Sequence, residues 1–395
     1  MLKKHPQIGL IILAFIAFIS LGMPDGLLGV AWPSIRASFS LPLDAIGLLL
    51  FATTIGYLTS SFSSGPVTAR LGVGKVLALS CAMTGAGLIG YTMVPAWWML
   101  VSLGVVAGLG AGAIDAGLNA YVAGHFGEGL MQWLHASYGI GVTLGPIIMT
   151  TSLAALSSWR PGYRVVGGFQ LALAACFALT MPIWNRKEAA DGSKEPKRLT
   201  EYKTPLGETL RRPGAWLSML LFFLYTGSEA SLGTWTYTLL IESRGIRPET
   251  AGLWAGSYWA TFTAGRIMAG VYARRAGINL LVLGSLIAAL AGSALLWWNP
   301  APAANLIAVA LIGFAIAPIF PGLMSGTSQR VGVHNAVNTI GIQMAAGGLG
   351  FALIPSLVGI LARRVSLEVI PVCLMALFAA LLGLYMLVVR SGSKA

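Results

Sequence analysis

The sequence is short of charge, and of negative charge most of all. Asp, Glu, Lys and Arg together make up 10% of its 395 residues, where a soluble globular domain carries about 25%. That deficit, beside long apolar runs, excludes a soluble enzyme and a disordered chain. Cysteine is scarce as well. Cys81, Cys176 and Cys373 are an odd number, all within apolar stretches, which excludes a disulfide-stapled secreted domain. The roughly ten-residue alternation of an outer-membrane barrel is also missing. Four histidines are present, none paired at metal-ligand spacing, so neither a metal nor a cofactor is expected. What fills the chain instead is apolar: 56% hydrophobic residues and a mean hydropathy of +0.78, arranged in runs of about 20 residues, each enough to cross roughly 30 Å of hydrocarbon.

Twelve such runs are predicted to span, near 8–31, 45–64, 75–94, 96–123, 133–157 and 164–184, then 214–241, 250–272, 278–298, 302–326, 335–361 and 367–389. The expected fold is an all-α membrane protein with twelve transmembrane helices in two pseudo-symmetric six-helix halves, residues 1–185 and 214–395, joined by a polar linker over 186–213. The start is basic (Lys3, Lys4), but Pro24-Asp25-Gly26 is no small-residue cleavage site, so the first run reads as a span and not a signal peptide. Seventeen Lys and Arg fall with the termini and linker and seven on the opposite loops. The positive-inside rule therefore places both termini in the cytoplasm. The net charge of +12 then faces anionic inner-leaflet lipid, and no nucleic-acid partner is expected.

A shift of 205 residues aligns the two halves without a gap across their second and third spans. Gly47 and Leu48 fall on Gly252 and Leu253, and Gly65, Arg70, Gly72 and Ser80 fall on Gly270, Arg275, Gly277 and Ser285. Two six-helix halves repeated in one orientation are expected of carriers that rock about a midplane site.

The turn Gly65-Pro-Val-Thr-Ala-Arg70-Leu-Gly72-Val-Gly-Lys75 resembles the signature loop between spans two and three of the major facilitator superfamily. Ala69 stands where that pattern usually has an aspartate, so the charge lock this acid forms is not expected here. Ile114-Asp115-Ala-Gly-Leu-Asn119, Trp133-Leu-His135-Ala-Ser-Tyr-Gly139-Ile-Gly-Val-Thr-Leu-Gly145-Pro146, Tyr225-Thr-Gly-Ser-Glu229 and Gly265-Arg266 look like the fucose:proton symporter branch and related bacterial permeases. In that branch an acid in the first span and one in the fourth serve proton coupling and sugar binding; Asp25 and Asp115 occupy the matching spans. The resemblance implies a monomeric, multi-pass carrier of the bacterial inner membrane, driven by a proton gradient.

Of the thirteen acids, Asp25, Asp115 and Glu229 lie within spans, where a carboxylate must face a cavity, pair with a cation or carry a proton. Asp25 follows Pro24, so the helix is expected to open locally beside it. Asp115 and Asn119 share one helical face, which suits a proton site beside a hydroxyl-binding amide. His135 is a candidate relay or ligand; the alternative is a histidine bonded to a backbone carbonyl. Glu229 and Arg266 make either a structural ion pair or a gating and substrate pair. Tyr225 and Trp235 offer aromatic faces to a sugar, although Trp and Tyr near span ends also serve as interface anchors. Asn338 and Gln343 are apt for hydroxyls or for joining helices, and Pro318 and Pro321 break the tenth span as a gate would. Arg70, Arg266 and Arg275 complete the gating set.

The expectation is thus a proton-coupled symporter importing a small polyhydroxylated solute, most simply a sugar, by alternating access. Its partners are that small molecule, protons and membrane lipid. The alternative is a proton-coupled exporter of amphipathic drugs or metabolites, which would favour a roomier apolar cavity. An intramembrane enzyme lacks a nucleophile, base and orienting series. A channel lacks a ring of equivalent polar groups.

Overall fold

In the computed structural model, described over residues 5–125, 128–184 and 204–392, the described residues form helices and turns and no strand. Six long helices come first: α1 (His5–Ser38), α2 (Ile46–Leu71), α3 (Val73–Tyr91), α4 (Trp97–His125), α5 (Glu128–Leu156) and α6 (Arg160–Trp184). After a short helix, Leu206–Leu210, come α7 (Pro213–Thr238), α8 (Pro248–Ala276), α9 (Ile278–Trp298), α10 (Pro302–Ile316), α11 (Val333–Arg364) and α12 (Val369–Gly392). Counting α10 with its continuation to Ser325, ten of these are long and apolar enough to cross a membrane. The other two, α7 and α8, have 26 and 29 residues, about 39 and 43 Å at helical rise. Glu229, Glu249, Arg266 and many hydroxyl residues lower their hydropathy. The twelve-helix, all-α membrane fold is the fold observed. Most of the predicted linker, residues 186–203, lies outside the described residues.

The described residues within Met1–Lys187 and Thr236–Ala260 pack as one compact unit, and those within Glu188–Trp235 and Thr261–Ala395 as another. In the first unit α1 packs on α5, α2 on α4, and α3 on both α4 and α6. The α2–α4 seam is close because Gly108 has no side chain: a Cβ there would run into the Thr53 carbonyl. Phe18, Leu77, Cys81, Ile114, Leu118, Leu134 and Phe177 form a buried apolar cluster at the centre. In the last turn of α1, Arg36 pairs with Glu242 at 2.6 Å, in the π-helical turn Leu239–Ser243 that follows α7. In the second unit α9 packs on α10 and α12, and α11 on α12.

The internal repeat is visible in the backbone. Gly72 closes α2 with φ 81° and Gly277 stands at the matching turn with φ 76°, a left-handed conformation that strains other residues. The expected opening at Pro24 does not occur, for α1 is continuous from His5 to Ser38. Proline has no N–H, so the Ser20 carbonyl one turn earlier lacks its helical donor. Gln170 of α6 supplies one, its Nε2 donating to Ser20 O at 3.1 Å.

Candidate functional site

The first unit holds both of its intramembrane carboxyls in tyrosine-bonded sites. On α4, the four-residue spacing lets the Asn119 amide turn back on Asp115, Nδ2 donating to Oδ1 at 2.8 Å and to the Asp115 backbone carbonyl at 2.9 Å. From α2, the Tyr57 hydroxyl donates to Asp115 Oδ2. Each carboxylate oxygen thus receives a neutral donor, and Asp115 and Asn119 are both half-buried. Gly112 makes the approach possible, since a Cβ there would meet the Tyr57 carbonyl.

Asp25 is exposed, and Tyr138 of α5 donates its hydroxyl to Asp25 Oδ2 at 2.6 Å. The α1–α5 seam is again made of small residues: a Cβ on Gly26 would strike the Val142 carbonyl, the acceptor that Pro146 leaves without a helical donor. Tyr57 lies in electrostatic reach of Asp25 as well as Asp115. His135, one turn before Tyr138 on α5, is exposed, with its ring edge-on to Phe18 at 5.7 Å. Tyr57 and Tyr138 are site residues that reading the sequence missed. Tyr138 sits inside the quoted span-five motif, but its partner lies 113 residues away, and Tyr57 carried no local signal.

The second unit gathers Tyr225, Glu229 and Arg266 within mutual electrostatic reach. The Arg266 guanidinium stacks on Phe262, 4.3 Å from its ring centroid, and its buried Nε has no hydrogen-bond partner. Pro318 breaks the tenth span: α10 stops at Ile316 and a new helix runs from Ile319 to Ser325, with Pro321 inside it. Tyr225, fully buried on α7, donates to the Ile316 carbonyl at this break at 3.2 Å. The Phe314 carbonyl, which Pro318 deprives of its donor, faces Gly265, leaving only 2.6 Å for a Cβ there.

Other expected ligands have their polar atoms occupied inside this unit. Asn338 donates to the Thr204 carbonyl at 2.8 Å and to Thr209 Oγ1 at 3.1 Å. Gln343, fully buried, donates to Thr327 Oγ1 at 3.0 Å. Trp235, also fully buried, donates from Nε1 to the Pro355 carbonyl at 2.9 Å. Burial forces these pairings, because an unpaired amide or indole N–H away from water is costly. Their partners are on other elements, so no local pattern announced them. Of the expected gating arginines, Arg70 is exposed at the end of α2, and the Arg275 side chain lies outside the described residues. Arg330, which the sequence reading passed over, donates to Ser218 Oγ at 2.9 Å and to the Leu323 carbonyl. Burial lowers its pKa from the ordinary arginine value. Among the described residues no three His, Cys, Asp or Glu stand together as a metal site would require.

Twelve long helices, ten of them long and apolar enough to cross a membrane, make a multi-pass membrane protein. The Major Facilitator Superfamily family model matches residues 10–355, and the chain belongs to that superfamily. Its relatives include Bypass of stop codon protein 6 of Saccharomyces cerevisiae, 23% identical over 91% of this chain and 78% of the relative. Sodium-dependent glucose transporter 1 of Homo sapiens is 22% identical, over 87% of this chain and 72% of that protein. The glucose/mannose transporter GlcP of Bacillus subtilis is 19% identical, over 89% and 87%. Among solved structures, a bacterial homologue of the human lysosomal transporter Spinster, in an inward-facing, occupied conformation, has a TM-score of 0.77 at 13% identity, with 98% of each chain covered.

Proposed function

We propose that this protein is a proton-coupled symporter that imports a small polyhydroxylated solute, a hexose in the first instance, by alternating access. It sits in a bacterial inner membrane with both termini in the cytoplasm. One observation carries the reading: the Asp115 carboxylate shared between Tyr57 on α2 and Asn119 on α4. A carboxyl inside a span either remains paired or takes up a proton, and here the Tyr57 hydroxyl and the Asn119 amide that donate to it are neutral groups. Asn119 bonds that acid through its amide nitrogen, and its Oδ1 is the group that would accept a solute hydroxyl, so one site would feel both proton and hydroxyl. Asp25 on α1 is the second proton site and His135 an additional ligand, and Tyr225, Glu229 and Arg266 are a polar cluster within the second unit. Coupling requires that proton and solute each favour one conformation over the other. Two relatives named as glucose transporters support the sugar.

A second reading concerns the ion. The human relative is named as sodium-dependent, and sodium would use the same carboxyls. Purified protein in liposomes, given labelled D-glucose under either an inward proton gradient or an inward sodium gradient, separates the two. The expected result is accumulation above equilibrium with the proton gradient alone, lost in Asp115→Asn and in Asp25→Asn while exchange persists. Accumulation that survives both substitutions removes the proton role, and accumulation with sodium alone replaces it.

A further inference from the structure

A polar cavity lined by neither Asp25 nor Asp115 lies at the end of the first unit opposite the Arg70–Lys75 turn. It holds about 420 Å³ and is walled by the end of α1, the end of α5, the last turn of α7 and the first turn of α8. Its polar side chains are Ser34, Thr150, Ser157, Tyr237 and Glu249, and every lining residue belongs to the first unit. The Arg36–Glu242 pair stands beside it, for Ser34 and Ile241, which both line it, are within two residues of the paired side chains. Resting on the import reading, we propose that this pocket is a second solute site, facing outward on the proposed topology, which holds a polyhydroxylated molecule by its hydroxyls before the carrier admits it.

Among the described residues, the Glu249 carboxylate has no hydrogen bond or ion pair, and the Ser34, Ser157 and Tyr237 hydroxyls have no partner. A carboxylate offers about four lone-pair sites, enough for adjacent hydroxyls on one ring, while serine and tyrosine hydroxyls donate or accept as a polyol requires. Hydrogen bonds to a charged acceptor are the strong ones, so Glu249 is the anchor. Thr150 is the floor: its hydroxyl is buried without a partner against Gly252, where a Cβ would strike it. The missing side chain lets α5 and α8 come close enough to place Thr150 and Glu249 in one cavity. Ser157 has φ 48°, a conformation that glycine takes freely and serine does not, so the rim carries a hydroxyl where glycine would be the unstrained residue. The volume lies at the small end of the roughly 300–1,000 Å³ of small-molecule pockets, which suits a monosaccharide rather than a large amphipathic molecule. An acid in a first helical turn also offsets the helix dipole, but that role binds no solute.

The experiment is cysteine protection in right-side-out membrane vesicles holding the full-length chain. Ser157→Cys is labelled by a membrane-impermeant maleimide with and without D-glucose, above the background of the parent's three cysteines; Ser34→Cys serves if that variant is not recovered. Labelling should slow about tenfold once D-glucose fills about nine-tenths of the site by mass action. Glu249→Gln in the same cysteine background should raise the half-protecting concentration at least about tenfold, the effect of weakening a hydrogen bond to a charged group. Asn119→Ala should leave protection in place, because Asn119 does not line this pocket. No labelling from outside, no protection, or undiminished protection in Glu249→Gln overturns the second site. Protection lost in Asn119→Ala, or matched by sodium chloride alone, overturns it as well. Uptake of labelled D-glucose in the same vesicles separates the two readings: uptake without protection removes this site alone, and protection without uptake removes import alone.

Discussion

The carboxyls of the first unit and the amides of the second are held in different ways. In the first, the carboxyls of Asp25 and Asp115 take hydrogen bonds from tyrosines of neighbouring helices, and Asp25 keeps much of its surface exposed. In the second, the amides of Asn338 and Gln343 and the indole of Trp235 are consumed by neighbours in the same unit. An acid held by hydroxyls can change its charge and re-form its bonds with donor and acceptor exchanged. An amide has no charge to change. On the proposed reading, ion handling would fall to the carboxyls of the first unit, and the amides around α11 would hold the second unit together.

Substitutions that should differ between the units break or sharpen this contrast. The largest effect is expected for Asp115→Asn, which should lower proton-driven solute accumulation in liposomes at least about a hundredfold, because the charge that must be neutralised is gone. Asn119→Ala and Asn338→Ala form the sharpest pair. The first should reduce kcat/KM about tenfold or more, the worth of a hydrogen bond beside a charged group, while the second leaves KM within about twofold and lowers stability by about 1 kcal/mol in a thermal-shift assay. Equal kinetic losses in the two would erase the distinction. Gln343→Leu should cost about 0.5–1.5 kcal/mol of stability by removing its bond to Thr327, whose hydroxyl keeps the Leu323 carbonyl and Arg330, with uptake kinetics unchanged per folded molecule. The smallest effect belongs to Arg36 and Glu242. Their side chains are 26% and 28% exposed, and a double-mutant cycle should return about 0–1 kcal/mol.

Much of the fold was readable because the bilayer imposes it. Twelve apolar runs, the 205-residue echo at Gly72 and Gly277, and the proline that ends α10 each act through local chemistry. So does the Asp115–Asn119 contact, which follows from four-residue spacing on one helix. The tyrosine partners were not readable: Tyr57 and Asp115 are 58 residues apart, and only helix packing brings them together. Asn338 and Gln343 were open between binding hydroxyls and joining helices for the same reason, since their partners Thr204, Thr209 and Thr327 lie on other elements. An intramembrane amide looks equally available whether or not a threonine from another element has already claimed it.

Gln170 has a consequence beyond filling a gap in α1. By lending its amide to Ser20, one turn ahead of Pro24, it moors the stretch of helix bearing Asp25 to α6 on one flank while Tyr138 grips the carboxyl from α5. The acid is thereby suspended between two helices that are not its own. A tilt of either relative to α1 would alter how firmly the carboxyl holds its charge, turning mechanical displacement into a chemical signal.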